Sequence, residues 1–102
     1  MGFVIVTVGF PNFRESDRVI HHLLQKKLIS SANSFPVKST SKWTGKITQV
    51  DEVMVFMKTR KSNWSKVRSE VQKIHPYKIP CITKINAEAN KDFENWLIKE
   101  TN

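Results

Sequence analysis

Phe3-Val4-Ile5-Val6-Thr7-Val8 is an unbroken β-branched and apolar run ended by Gly9 and Pro11, which predicts a buried first strand. Ser16-Asp17 then offers a helix N-cap with acid in the first turn. Val19, Ile20, Leu23, Leu24 and Leu28 follow at helical spacing, with Arg18, Gln25 and Lys26 outside. That helix is expected to end near Ile29, before the polar Ser30-Ser31-Ala32-Asn33. From Phe35 to Trp43 the residues are short, β-branched or hydroxylated and are broken by Pro36, which predicts a strand at a sheet edge. Thr44-Gly45-Lys46 makes a turn. Ile47 to Thr59 is one long strand, with Val53, Val55 and Met57 on one face and Met54, Phe56 and Lys58 on the other. Its length implies that part of it projects beyond its own sheet. Ser62 can cap a second helix along which Trp64, Val67, Val71 and Ile74 recur, and Pro76 stops it. Ile79 to Ile85 supplies a last strand, and Asn90 caps a terminal helix with Phe93, Trp96 and Leu97 on one stripe.

The order is β-α-β-β-α-β plus a closing helix. The predicted class is therefore α+β: a ferredoxin-like sandwich, two helices on one face of a four-stranded antiparallel sheet, with an extra C-terminal helix. At 102 residues the chain is a single domain spanning 1–102, with no repeat, linker or low-complexity tract. A long strand with apolar residues on both faces is an association hazard unless something pairs with it, and cyclic self-association supplies that partner.

Composition narrows the function classes. Apolar residues make up 39% and charged residues 25%, which suits a globular domain and excludes a disordered tail. The longest apolar stretches are strand-sized, far short of the roughly 20 residues that cross a bilayer. The start of the chain carries no basic region of a secretory signal, so no cleavable segment or membrane partner is expected. Cys81 is the one cysteine, which excludes an intrachain disulfide and suggests a reducing, cytoplasmic setting. The net charge of +8 is spread over every segment rather than gathered in one run, which predicts a solvated surface. Gly-x-Ser-x-Gly and His-Glu-x-x-His are absent, and three glycines in all exclude a phosphate-cradling glycine loop, so no enzyme is expected.

Three blocks carry a resemblance. Trp43-Thr44-Gly45-Lys46-Ile47 is followed by Asp51-Glu52-Val53 and then Lys58-Thr59; His75-Pro76-Tyr77-Lys78-Ile79-Pro80 follows the second helix; Trp96-Leu97 sits in the last one. In this order and spacing the chain resembles the CutA family of divalent-cation tolerance proteins. The resemblance covers essentially the whole chain. It implies a ferredoxin-like protomer assembled as a homotrimer through long strands, without catalytic activity and with no required cofactor. It also implies an association with copper or another divalent cation. Family members carry metal-binding side chains at positions that here are Val6, Ser31, Ile74 and Cys81, so any metal binding is expected to be weak.

The candidate metal ligands are His75 and Cys81, six residues apart, a soft pair of the kind copper(I) favours. Against that, an imidazole at a helix end can cap free carbonyls, and a lone cysteine is expected to be a small buried apolar residue. Met54 and Met57 point to opposite faces of a strand, and His21 and His22 diverge by about 100° on a helix, so neither pair converges on one ion. Trp43, Lys46, Glu52, Lys58 and Tyr77 are assigned to an intersubunit groove, where they offer an ammonium, a carboxylate and a phenol to a small ligand or to a salt-bridge network between protomers. Two competing readings remain. An RNA-binding module shares the architecture, but it needs a block of stacking aromatics that is missing, which disfavours nucleic acid as a partner. A metabolite-sensing trimer of PII type needs a long nucleotide loop where this chain has a short turn at Thr44-Gly45.

Overall fold

Alternation of buried and half-buried residues along Phe3–Phe10 makes the first strand, β1. A computed structural model of the protein describes residues 1–102 and continues with helix α1 (Phe13–Gln25), strands β2 (Ser31–Trp43) and β3 (Lys46–Thr59), and helix α2 (Trp64–Ile74). Strand β4 (Ile82–Ala87) and helix α3 (Lys91–Glu100) complete it. The sheet is antiparallel with order β2-β3-β1-β4, the ferredoxin-like arrangement expected from the element order. Pro36 lies in β2, an edge strand, where its missing N–H costs no interior bond.

The core lies on the helix-covered face. Val4, Val6, Val8 and Phe10 of β1 and Val53, Val55 and Met57 of β3 meet Val19 and Leu23 of α1 and Val67 and Val71 of α2. Arg60 secures the end of α3: its guanidinium donates to the Thr101 hydroxyl at 2.9 Å, to the Thr101 carbonyl at 2.7 Å and to the carbonyl of Ile98. Glu94 ties β1 to α3 by accepting from the backbone N–H groups of Gly2 and Ala89, both at 2.7 Å. Those two bonds hold its carboxyl below the usual carboxylate range.

Several element ends differ from expectation. The cap of α1 is Asn12, whose side chain accepts from the N–H of Glu15; Ser16 is buried inside the helix and turns its hydroxyl back to the carbonyl of Phe13. The helix stops at Gln25 rather than near Ile29. Lys27 takes a left-handed φ of 57°, and the N–H groups of Lys27 and Leu28 close onto the carbonyls of Leu24 and Leu23, a Schellman arrangement. The polar stretch from Ser31 is already strand, because β3 runs long enough to pair it, Ser31 opposite Lys58. Ser62 falls in a short 3-10 turn, and α2 starts after Asn63. Ile79 to Cys81 precede β4 instead of belonging to it. Lys27→Gly relieves the left-handed strain of a side chain at this cap; we expect a gain of about 1 kcal/mol, read from the denaturant midpoint.

Strand β3 outruns its sheet as anticipated. Its last pair with β1 is Phe10 opposite Val53, so Lys46 to Glu52 pair only with β2 and project as a two-stranded arm, closed by Thr44 and Gly45 at positive φ. The arm accounts for the elongated 45 × 23 × 21 Å shape.

Candidate functional site

Strand register divides the sheet into two faces. Partners across the strands show that Ile5 and Thr7 of β1, Met54 and Phe56 of β3, Phe35 of β2 and Ile85 of β4 all point away from the helices. Phe35 and Phe56 pack edge to face with ring centroids 5.3 Å apart. Helix α3 covers this face only at its Phe3 end, where Phe93 packs edge to face on Phe3 with centroids 5.8 Å apart. The rest has no helix over it, and beyond it the arm leaves Trp43, Ile47 and Val50 exposed at 58%, 77% and 52%. A protomer with this much uncovered apolar surface presents a face that fits association. The two central strands carry Phe3 and Phe56 on that face, but Phe3 is buried against Phe93 of α3, which leaves Phe56 alone and short of the stacking pairs an RNA-binding sheet uses.

The five residues assigned to a groove separate into three groups. Glu52 and Tyr77 meet: the Tyr77 phenol donates to the Glu52 carboxylate beside the end of β1. Burial, followed by the hydrogen bond to Glu52 and its negative charge, pushes the Tyr77 phenol up to about 12, so it is a hydrogen-bond donor at any physiological pH. Lys58 lies at the other end of β3 and donates to the side-chain carbonyl of Asn33 at 2.5 Å. Trp43 and Lys46 face each other across the tip of the arm. At about 3.4 Å per residue, Lys46 and Lys58 are about 40 Å apart along one strand. One protomer therefore brings together two separate pairs, Glu52 with Tyr77 and Trp43 with Lys46, and Trp43, Lys46 and Lys58 can join Glu52 and Tyr77 only from neighbouring copies.

His75 is buried and committed twice. Its Nδ1 accepts the backbone N–H of Tyr77 at 3.0 Å, so the ring proton sits on Nε2, which donates to the Gly9 carbonyl at 2.8 Å. The ring stacks on Phe10 with centroids 4.6 Å apart. Burial, chiefly, lowers its pKa below the usual value; the Gly9 bond and the charges of Glu15 and Glu52 oppose that, and Arg18 adds to it. The expected capping of helix carbonyls is replaced by a bond across to β1. To ligate a metal, His75 must give up one of these bonds. Cys81 departs from the expected burial: it is exposed, and its Sγ lies 3.5 Å from the Thr83 hydroxyl. The reason is position, since Cys81 precedes β4 on the uncovered side of the sheet. Within the protomer, no three His, Cys, Asp or Glu side chains converge where they could hold a metal ion. His21 is exposed while His22 bonds Glu70, in keeping with their divergence. Two partners escaped the sequence reasoning, Asn33 for Lys58 and the Gly9 carbonyl for His75. The first needs only the register of a β2 that starts at Ser31; the second carries no side-chain signal at all.

Comparison with known proteins gives concordant results. Residues 4–100 match the family described as CutA1 divalent ion tolerance protein. The divalent-cation tolerance protein CutA of Pyrococcus horikoshii is 34% identical over 99 residues, covering 96% of this chain and 97% of the relative. Its crystal structure superposes with a TM-score of 0.94 at 33% identity, over 97% and 98% of the two chains. The Archaeoglobus fulgidus CutA is 38% identical over 96 residues, 93% of this chain and 92% of the relative. Its solved structure, described as the periplasmic divalent cation tolerance protein, gives a TM-score of 0.93 at 36% identity and 98% coverage of both chains. The PII-like protein CutA of Nostoc sp. PCC 7120, at 21% identity, 100% and 98% coverage and a TM-score of 0.90, shares the fold.

Proposed function

The chain belongs to the CutA1 family of divalent ion tolerance proteins, and we propose that it works as a non-catalytic homotrimer that holds a divalent cation or small ligand weakly in a groove between protomers. The observation that carries this reading is the Glu52–Tyr77 pair at the root of an arm whose remaining groove residues lie too far away to complete a site within one chain. A carboxylate with a phenol donor beside it is a hard-oxygen site, which suits weak reversible cation binding better than tight capture of a soft ion. Trp43 and Lys46 from a neighbour's arm, with Lys58, would supply an aromatic wall and positive charge, which weakens cation binding in the groove and favours a small anionic ligand or an anionic metal complex. Nothing in this set resembles a nucleophile with its base, which supports the absence of catalysis. The unpaired Cys81 fits a reducing compartment, so we place the protein in the cytoplasm. No helix is long and apolar enough to cross a membrane.

Copper(II) titration of the assembled protein by calorimetry tests the metal assignment. Weak binding, reduced further in Glu52→Gln and unchanged in Cys81→Ser, is expected. Submicromolar affinity abolished by Cys81→Ser or His75→Ala overturns the groove reading in favour of a soft-metal site at those two residues.

A further inference from the structure

On the helical side of the molecule, away from the uncovered sheet face, the end of α1 and the outer surface of α2 border an open, shallow groove of about 560 Å³ lined by Lys26, Leu28, Ser65, Lys66, Ser69, Glu70 and Lys73. We propose that this groove binds an oligophosphate anion, a chain of three or more linked phosphates, through Lys26, Lys66 and Lys73 with the Ser65 and Ser69 hydroxyls. Ser65, Lys66, Ser69 and Lys73 fall within about 100° of arc on α2 and extend along about 12 Å of its axis. That is the length of a short phosphate chain, whereas a single orthophosphate reaches only one end of the row. Lys66 makes no ion pair, and neither serine hydroxyl has a hydrogen-bond partner within the protein, so three donors stand free along one wall.

Glu70 organises the other two cations. One carboxylate oxygen lies 2.8 Å from His22 Nε2 and 3.1 Å from Lys26 Nζ, and the other lies 3.7 Å from Lys73 Nζ. The hydrogen bond with His22, then that with Lys26, holds this carboxyl at about 2, so it is ionised throughout the physiological range. Glu70 thus aims Lys26 and Lys73 into the groove while cancelling only one of three positive charges, and no other acid lines it. Tetrahedral phosphates take hydrogen bonds from ammonium and hydroxyl donors alike. Leu28 is the one apolar residue in the lining, so nothing there offers a stacking surface for a nucleobase. The phosphates, not an attached nucleoside, are what the site recognises.

The test is calorimetric titration of the assembled protein with sodium tripolyphosphate at low ionic strength, with amide chemical shifts followed in parallel. Saturable binding with shifts at Lys26 and across Ser65–Lys73 is expected, with orthophosphate weaker by about tenfold or more and adenosine triphosphate within about twofold of tripolyphosphate. Lys66→Ala and Lys73→Ala should each weaken binding by about tenfold, while Lys91→Ala and Lys99→Ala, which remove the same charge elsewhere, should change it by less than about twofold. Equal weakening by all four variants reduces the effect to overall charge and overturns the proposal. So does shift mapping to another surface, or adenosine triphosphate binding without tripolyphosphate binding.

Discussion

Ile47→Asp combined with Val50→Asp is expected to convert a species of three times 11.9 kDa into a folded protomer of 11.9 kDa, measured by light scattering after size exclusion. Both side chains are more than half exposed in the protomer, so neither supports its core, and circular dichroism should be unchanged. Their cost falls on assembly. Full burial of one such side chain is worth roughly 1.5–3 kcal/mol, and three symmetric copies multiply whatever is lost. Replacing each with a carboxylate adds the desolvation of a charge at the same place. A wild-type chain that runs as a lone protomer, or a double variant that stays trimeric, removes the arm from the interface and with it the intersubunit groove.

The projecting arm also shows what the sequence made legible. Thr44-Gly45 is a two-residue turn between runs of strand-forming residues, and Val53, Val55 and Met57 alternate with Met54 and Phe56, so strand, turn and face were all written locally. The end of α2 was equally plain, because Pro76 cannot continue a helix. The family blocks survive as geometry in part: Glu52 and Tyr77, distant in sequence, do meet.

Element starts were harder, for a physical reason in each case. Ser16-Asp17 carries a stronger cap signal than Asn12 when read alone, yet Asn12 stands in extended backbone at the end of β1, where its side chain reaches the free N–H of Glu15. The Ser31–Ser34 segment has almost no apolar content; it becomes strand because β3 offers it a ladder, a tertiary effect that local propensity does not encode. Cys81 looks like core by residue type alone, but β4 begins one residue later and the uncovered face lies beside it. His75 was legible as a residue at a helix end and illegible as a clamp, since its acceptor is a backbone carbonyl on a strand 66 residues away.

That clamp sets the second large effect. His75→Ala is expected to destabilise the protein by about 2–4 kcal/mol, measured from urea midpoints at one fixed protomer concentration. The truncation leaves the Gly9 carbonyl and the Tyr77 N–H without partners and removes a ring stacked on Phe10, so an unpaired-group penalty adds to a packing loss. The same residue governs an acid response. Its folded-state pKa lies below the ordinary histidine value of 6.5, chiefly through burial, so below that value the unfolded chain binds more protons than the folded one. Its contribution is therefore complete above pH 6.5 and declines as the pH falls through that value toward the folded pKa. Protonating Nδ1 would set a new N–H against the N–H of Tyr77, which makes the direction unambiguous. The wild-type midpoint should fall between pH 7.5 and pH 5.5, and the fall should be smaller in His75→Ala. Equal pH slopes in the two proteins would place the acid sensitivity elsewhere, and an unchanged midpoint at pH 7.5 would mean that the ring holds nothing together.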